Sequence, residues 1–325
     1  MAELTYRQAL ALAMAEEMRR DPRVILMGED IGASGGPLKT TEGLFDEFGA
    51  ERVRDTPISE NAFVGAAMGL ALTGWRPVVE IMFSDFLGVC YDQIANSIAK
   101  QRFMAGGRMD VPLVIRAIGG GGLRFGAQHS QTGETWFLSV PGLKIVTASN
   151  PLEAYGMLKA AIRDPDPVLF IEHKALLGTK ADVPVGTDNL RPLHGTDLLR
   201  TGDQVTIVAT LAMVPRALEA AAALAAEGIG ADVFDLRALR PMDTTDIAES
   251  VRRTGRLLTV EEVSRLGGWG AEVCAQVTEA AFDYLDAPPA RLALPEYPLP
   301  YSPGLEDAAI PSVERIANAA RRLLD

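Results

Sequence analysis

Short unbroken apolar runs alternate with helix-periodic segments along most of the chain, and that alternation requires a mainly parallel sheet covered by helices on both faces. Residues 24–28 (VILMG), 78–82 (VVEIM), 112–116 (PLVIR), 143–147 (LKIVT) and 168–172 (VLFIE) have the length and content of buried strands. Helical spacing fills the gaps. Thr5 can cap a helix running to Arg20, with Leu10, Met14 and Met18 on one face, and 61–72, 86–100 and 152–163 read as further helices. From 176 to 202 the periodicity fades and Pro, Gly and Asp become frequent. A second alternating series follows, with strands at 205–209, 231–236, 256–262 and 289–294 and helices at 214–227, 270–285 and 311–324. The chain therefore reads as α/β with two domains, each a mainly parallel sheet flanked by helices: residues 1–178, a linker over 179–202, and residues 203–325. The two series are not copies of each other, so no internal repeat is inferred.

A chain of 325 residues, 48% hydrophobic and 23% charged, can bury cores of that kind and does not have a disordered composition. Its formal net charge of −12 argues against nucleic acid and anionic membrane surfaces, both of which reward clustered Lys and Arg. The acidity reads as solubility rather than as a site for a basic partner. The most apolar stretch, 62–75, is shorter than the ~20 residues a membrane span needs, and its Gly and Ala suit a closely packed helix. The start, MAELTYRQAL, lacks the basic-then-apolar pattern of a signal peptide. Cys90 and Cys274 are the only cysteines and stand in no metal-ligand spacing, so a soluble protein of the reducing cytoplasm is expected.

Three segments carry more chemistry than packing requires. In DTPISENAF (55–63), Glu60 enters an apolar helix among Ile58, Phe63 and Val64. It either caps that helix and complements its dipole, or is a partly buried acid whose proton affinity is raised by desolvation. In AIGGGGLRFGAQHSQ (117–131), a glycine run leads to His129, one of three histidines. Neither a P-loop Gly-Lys-Ser/Thr nor a GxGxxG opening a helix is present, so the glycines read as flexible loop more than as a phosphate cradle. His129, beside Gln128, Ser130 and Gln131, suits proton transfer near neutral pH as well as it suits an ordinary hydrogen-bonded surface histidine. In the third segment, 81–100, Phe83, Phe86 and Tyr91 gather at a strand end and form either core or a wall for a flat ligand. Cys90 has no neighbouring base in sequence and reads as an inert packed thiol. His173 and His194 have no comparable surroundings and receive no role.

In this order, GEDIG, DTPISE, RPVVEIMFSDF, DQIANSIAK, AQHSQ, PGLKIV, AIRDPDPV and LEDAAIPSVERI resemble the β subunits of the 2-oxo acid dehydrogenase complexes: pyruvate, branched-chain 2-oxo acid and acetoin dehydrogenases. The resemblance spans nearly the whole chain, and DTPISE with AQHSQ is its most specific part. It implies a pyrimidine-binding domain followed by a transketolase C-terminal-like domain, with thiamine diphosphate bound between this chain and an α subunit. Glu60 matches the glutamate that hydrogen-bonds the cofactor's aminopyrimidine ring, favouring the tautomer whose nitrogen removes the thiazolium proton. The electron-sink chemistry is the cofactor's. His129 matches the family's β-subunit histidine, expected to move protons while the acyl or hydroxyalkyl group passes to a lipoyl arm. The resemblance also implies that Glu29 lies near the cofactor, that Ile58 and Ser59 line the pyrimidine pocket, and that Phe86 stands against the ring. Met82 and Val89 bound a stretch bordering cofactor and substrate. Leu113, Ala161, Asp164 and Asp166 match positions that hold a potassium ion in some relatives, mainly through backbone carbonyls, with Asp166 replacing a frequent asparagine.

Thiamine enzymes of this kind hold the diphosphate through Mg²⁺ and a GDG motif followed by Asn. This chain contains no GDG, and its only GD pair, Gly202-Asp203, lies in GDQ. The diphosphate and Mg²⁺ are therefore expected on the α subunit of an α₂β₂ heterotetramer, with a β–β contact and a lipoylated acyltransferase core as further partners. DFLGVCYDQ, GGLRFGAQHSQ and EHKALLG most resemble the acetoin branch; pyruvate and branched-chain 2-oxo acids are the other substrates in view. Pocket differences of a few methylenes, each worth ~1–3 kcal/mol, divide them. Two readings of other classes compete with this one: a non-catalytic subunit docking the carrier core, and a stand-alone transketolase-like enzyme. Glu60 and His129 speak against the first, and the missing diphosphate motif against the second.

Overall fold

The computed structural model describes every residue but Thr187, and its contacts divide the chain into two units: Met1–Gly119 with Trp136–Leu193, and Gly120–Thr135 with His194–Asp325. In the first unit β1 (Ala2–Thr5) runs into α1 (Tyr6–Arg20). The Thr5 hydroxyl accepts the Gln8 N–H at 3.3 Å while the Gln8 side-chain oxygen accepts the Thr5 N–H at 2.9 Å, a capping box at the expected place. Then come β2 (Val24–Gly28), α2 (Leu44–Phe48), β3 (Val53–Asp55), α3 (Glu60–Leu72), β4 (Arg76–Ile81), α4 (Ala99–Met104), β5 (Val114–Gly119), β6 (Lys144–Thr147), α5 (Pro151–Arg163), β7 (Val168–His173) and β8 (Lys180–Val183). The parallel strands lie in the order β6-β7-β5-β4-β2-β3, and β8 pairs antiparallel with β1.

Every residue of β2, β5 and β7 is buried, which is why these strands read as continuous apolar runs. The charged exceptions are paired. Arg116 of β5 donates to Glu172 of β7 at 2.7 and 3.0 Å and to Glu80 of β4 at 2.7 Å, as a guanidinium removed from water requires.

The helix expected over 86–100 is not continuous. A 3₁₀ turn spans Ser84–Gly88, a π-helical stretch spans Gln93–Ile98, and α4 begins only at Ala99. Gly88 costs a continuous helix about 1 kcal/mol. The Trp136 ring would stand 3.7 Å from a Cβ placed there. The wider π coil lets the adjacent Ile94 and Ala95, together with Ile98, all face inward.

The second unit holds β9 (Asp197–Arg200), β10 (Val205–Ala209), α6 (Met213–Ala225), β11 (Ala231–Asp235), the short strand β12 (Ala238–Arg240), α7 (Thr245–Thr254), β13 (Leu257–Ser264), α8 (Trp269–Ala281), β14 (Ala290–Leu294), α9 (Pro303–Ala309) and α10 (Val313–Arg321). Its sheet runs β14-β13-β10-β11-β9, parallel except for the antiparallel edge strand β9. α6 lies on β10 and β11 and packs with α10, while α7 packs with α8. Both units are thus mainly parallel sheets flanked by helices, as the alternation requires.

Two features differ from the sequence reading. The stretch read as linker contains β8 and β9; no residue of β9 is buried, so it leaves no apolar period to read. Residues 120–135, which the sequence places within the first domain, belong by contact to the second unit. Gly121 N–H donates to Glu262 Oε1 at 2.7 Å and the Thr132 hydroxyl to the Glu262 carbonyl at 2.8 Å. A glycine run has no side chains to announce such bonds. Among the described residues no helix is long and apolar enough to cross a membrane.

Candidate active site

Strands β4, β2 and β3 are neighbours, and the carboxyl ends of parallel strands are where α/β sheets bind ligands. Glu29 directly follows β2, β3 leads through a short turn to Glu60 at the start of α3, and Met82 follows β4 with Phe86 in the 3₁₀ turn beyond. One rim of the first unit therefore gathers residues that lie far apart in sequence.

Glu60 is 6% exposed and occupies the first turn of α3, where the helix dipole favours negative charge. Glu29 is 7% exposed, and its Oε1 has no hydrogen-bond partner among the described residues. Burial, and then the Glu60 and Asp30 carboxylates, push the Glu29 carboxyl above its ordinary pKa. Two acids thus converge, one carrying a buried acceptor left unmatched among the described residues. Phe83 and Phe86 meet edge to face with ring centroids 5.8 Å apart, and the buried Lys174 ammonium lies 5.2 Å from the Phe83 ring centre. Ser59, Met82 and Phe86 are half-buried, whereas Ile58 and Val89 are exposed, so apolar groups edge the acids. Cys90 is fully buried, and its thiol is pushed up to about 12 by burial and then by Glu60, which makes it an inert packed group.

In the second unit the glycine-rich segment is a closed turn. Gly120 N–H donates to the Gln131 carbonyl at 3.1 Å, and Gly120, Gly122 and Gly126 adopt positive φ, which accounts for glycine at those places. His129 lies half-buried within it and donates its N–H to the Gly126 carbonyl at 3.4 Å. At the far end of the segment Glu134 is 1% exposed; burial drives its carboxyl up to about 8, and the nearby Glu262 and Glu261 push the same way. Nothing in the sequence marks Glu134, because an acid in a loop is normally solvated. His173 is buried and its Nδ1 accepts the Ala175 N–H at 3.1 Å, a local turn cap, while His194 is exposed.

The positions expected to hold potassium lie around the end of α5 in the first unit. The Leu113 carbonyl accepts the Val168 N–H at 2.9 Å, the Ala161 carbonyl accepts the Asp164 N–H at 3.2 Å, and the Asp164 carbonyl accepts Arg76 Nη1 at 3.3 Å. Each carbonyl oxygen keeps a second lone pair. The carboxylates are balanced by protein cations: Lys144 Nζ is 2.7 Å from both Asp164 oxygens, and Arg102 Nη1 is 2.6 Å from Asp166 Oδ1.

Comparison with known proteins bears on this arrangement. The transketolase pyrimidine-binding domain model matches residues 2–180, and the transketolase C-terminal domain model matches residues 195–316. The chain is 47% identical to the β subunit of an acetoin:2,6-dichlorophenolindophenol oxidoreductase of Cupriavidus necator, covering 99% of this chain and 98% of that one. It is 45% identical to the pyruvate dehydrogenase E1 component subunit beta of Rhizobium meliloti, covering 99% of this chain and 70% of that one. Among solved structures it is similar to a split-gene transketolase described as an inactive beta4 tetramer, with a TM-score of 0.80, 26% identity and coverage of 99% of this chain and 98% of that chain. Fold and matched domains define a transketolase-like protein. The chain belongs to the thiamine-diphosphate-dependent family of pyruvate and acetoin dehydrogenase β subunits.

Proposed function

We propose that this chain completes the active site of an α₂β₂ dehydrogenase, holding the aminopyrimidine end of thiamine diphosphate while the α subunit grips the diphosphate and its Mg²⁺. The observation that carries this reading is the convergence of Glu29 and Glu60 at the ends of adjacent strands, with one buried acceptor left unmatched. A flat ring bearing N–H donors fits that acceptor and the aromatic pair beside it. The absence of GDG supports dependence on the α subunit.

When bound, the cofactor supplies the electron sink for breaking the bond beside the substrate carbonyl. Glu60 presents its carboxylate to the ring from a buried helix start. Burial and the neighbouring Glu60 and Asp30 carboxylates raise the proton affinity of Glu29, which suits a carboxyl that shares hydrogen bonds with a polar ring edge. Ile58, Ser59, Met82, Phe86 and Val89 shield the ring edge from water. His129 relays a proton at its imidazole while the acyl unit passes to the lipoyl group of the acyltransferase core. Acetoin is the favoured substrate, supported by DFLGVCYDQ and EHKALLG, with pyruvate and branched 2-oxo acids next. Potassium between the carbonyls of Leu113, Ala161, Asp164 and Asp166 would stiffen the end of α5, and the complex works in the cytoplasm.

The test is reconstitution with an α subunit carrying GDG, followed by assay on acetoin, pyruvate and branched 2-oxo acids. Calorimetry with thiamine diphosphate and Mg²⁺ is expected to show tight binding by the pair and not by this chain alone. Tight binding by the isolated chain would overturn the shared site.

A further inference from the structure

The loop that carries His129 has few side chains able to hold it, and the missing bonds come from far along the chain. Glu262 on β13 takes the Gly121 N–H at 2.7 Å, and its backbone carbonyl takes the Thr132 hydroxyl at 2.8 Å, so one residue pins both sides of the turn. A Cβ on Gly121 would stand 2.8 Å from Ile310 Cδ1 and 2.9 Å from Leu299 Cδ1, so the loop backbone lies directly against the C-terminal segment.

Between these pins stands Arg124, whose φ of 65° is left-handed. Side chains other than glycine hold that conformation at a cost and only where the surroundings impose it. Here they do. The Arg124 guanidinium bonds Glu306 of α9, whose side chain is 0% exposed, and reaches Asp307 at 2.8 Å. A carboxylate buried as deeply as Glu306 needs a cation, and Arg124 supplies it. Releasing Arg124 would strand that charge and free the turn midway between its pins.

We propose that Arg124, clamped on Glu306 and Asp307, is a positioning residue that holds the Gly120–Gln131 turn so as to present His129 for carrier acylation, with Glu262 as the second anchor. The proposal rests on the role given to His129 above. Loss of an ion pair serving stability alone would lower the melting temperature and affect every partial reaction alike. A positioning clamp affects the step that uses His129.

The experiment uses the reconstituted α₂β₂ protein with Arg124→Ala, Arg124→Lys, His129→Ala and the Arg124→Ala/His129→Ala double variant. Two rates are read for each: substrate-driven reduction of 2,6-dichlorophenolindophenol, and acylation of a lipoylated carrier domain. For Arg124→Ala we expect carrier acylation to fall about tenfold or more in kcat, as misplacing a reacting group by about 1 Å does. Dye reduction and the KM for substrate should stay within about twofold. Arg124→Lys should recover part of the loss, and the double variant should be no slower than His129→Ala. Should Arg124→Ala fail to assemble, Asp307→Asn, at an exposed carboxylate, should show the same selective loss at about threefold. Wild-type acylation in Arg124→Ala beside an impaired His129→Ala overturns the positioning role alone. Additive losses in the double variant do the same. Wild-type acylation in His129→Ala overturns the histidine's role and the clamp with it.

Discussion

Glu60 and His129 reach their places by opposite routes. Glu60 is set by its neighbourhood: β3 ends just before it, α3 begins on it, and Phe63 and Val64 are buried with it. His129 sits in a turn built largely of glycine, and the bonds that anchor that turn join residues 141 and 182 positions apart. A group placed by consecutive elements depends on the local fold. A group placed by distant charges depends on each of those charges, and it is sensitive to whatever titrates beside them.

The largest expected effect breaks the local side of this contrast. Glu60→Gln should cut turnover of the complex by about a hundredfold or more, the range for a proton-handling side chain, with the melting temperature unchanged. Full turnover in that variant would move the chemistry elsewhere. The next effect probes the distant side. The Glu134 carboxyl is raised from 4.5 to about 8 in the folded chain, so between those values the unfolded chain ionises while the folded one stays protonated. Stability from this group is fully present below 4.5 and is lost as pH rises toward about 8; by pH 7 the loss is roughly 3 kcal/mol. Urea unfolding at pH 5 and pH 7.5 should therefore show a smaller fall for Glu134→Gln than for the wild type. An identical fall in both proteins would mean that Glu134 is ionised when folded.

Two glycines sharpen the contrast further. Gly121→Ala should cost about 2 kcal/mol by forcing a methyl onto Leu299 and Ile310, read from the urea midpoint. Gly69→Ala on α3 meets nothing within 4 Å and should instead stabilise by up to about 1 kcal/mol. Equal effects at the two positions would erase the distinction between a latched loop and a self-supporting helix. Smallest is Thr132→Val, which removes the hydroxyl's buried hydrogen bonds to the Glu262 carbonyl and to Glu134 and should cost about 1 kcal/mol net, with m unchanged.

Much of the first unit's rim was legible in the chain. DTPISENAF announced an acid at a helix start, and the apolar runs fixed which strand ends stand beside it. The broken helix over 84–104 was not legible, since its apolar spacing fits a plain α-helix as well as the π stretch that packing selects. Lys174 over Phe83, the Glu80–Arg116–Glu172 network and the buried Glu134 were also hidden. Each is a charged residue whose ordinary fate is solvent, and only its partner reveals otherwise. LEDAAIPSVERI drew attention by resemblance, yet the burial of Glu306 shows only once Arg124 is seen upon it.

The order of strands and helices, the two-domain plan and the acid at the head of α3 were written in the linear pattern, because strands buried on both faces must be apolar without interruption. Which unit claims residues 120–135, and which acids hold the turn around His129, was decided only in three dimensions. Attraction between charges 182 residues apart leaves no period in either segment, so no reading of one stretch alone contains it.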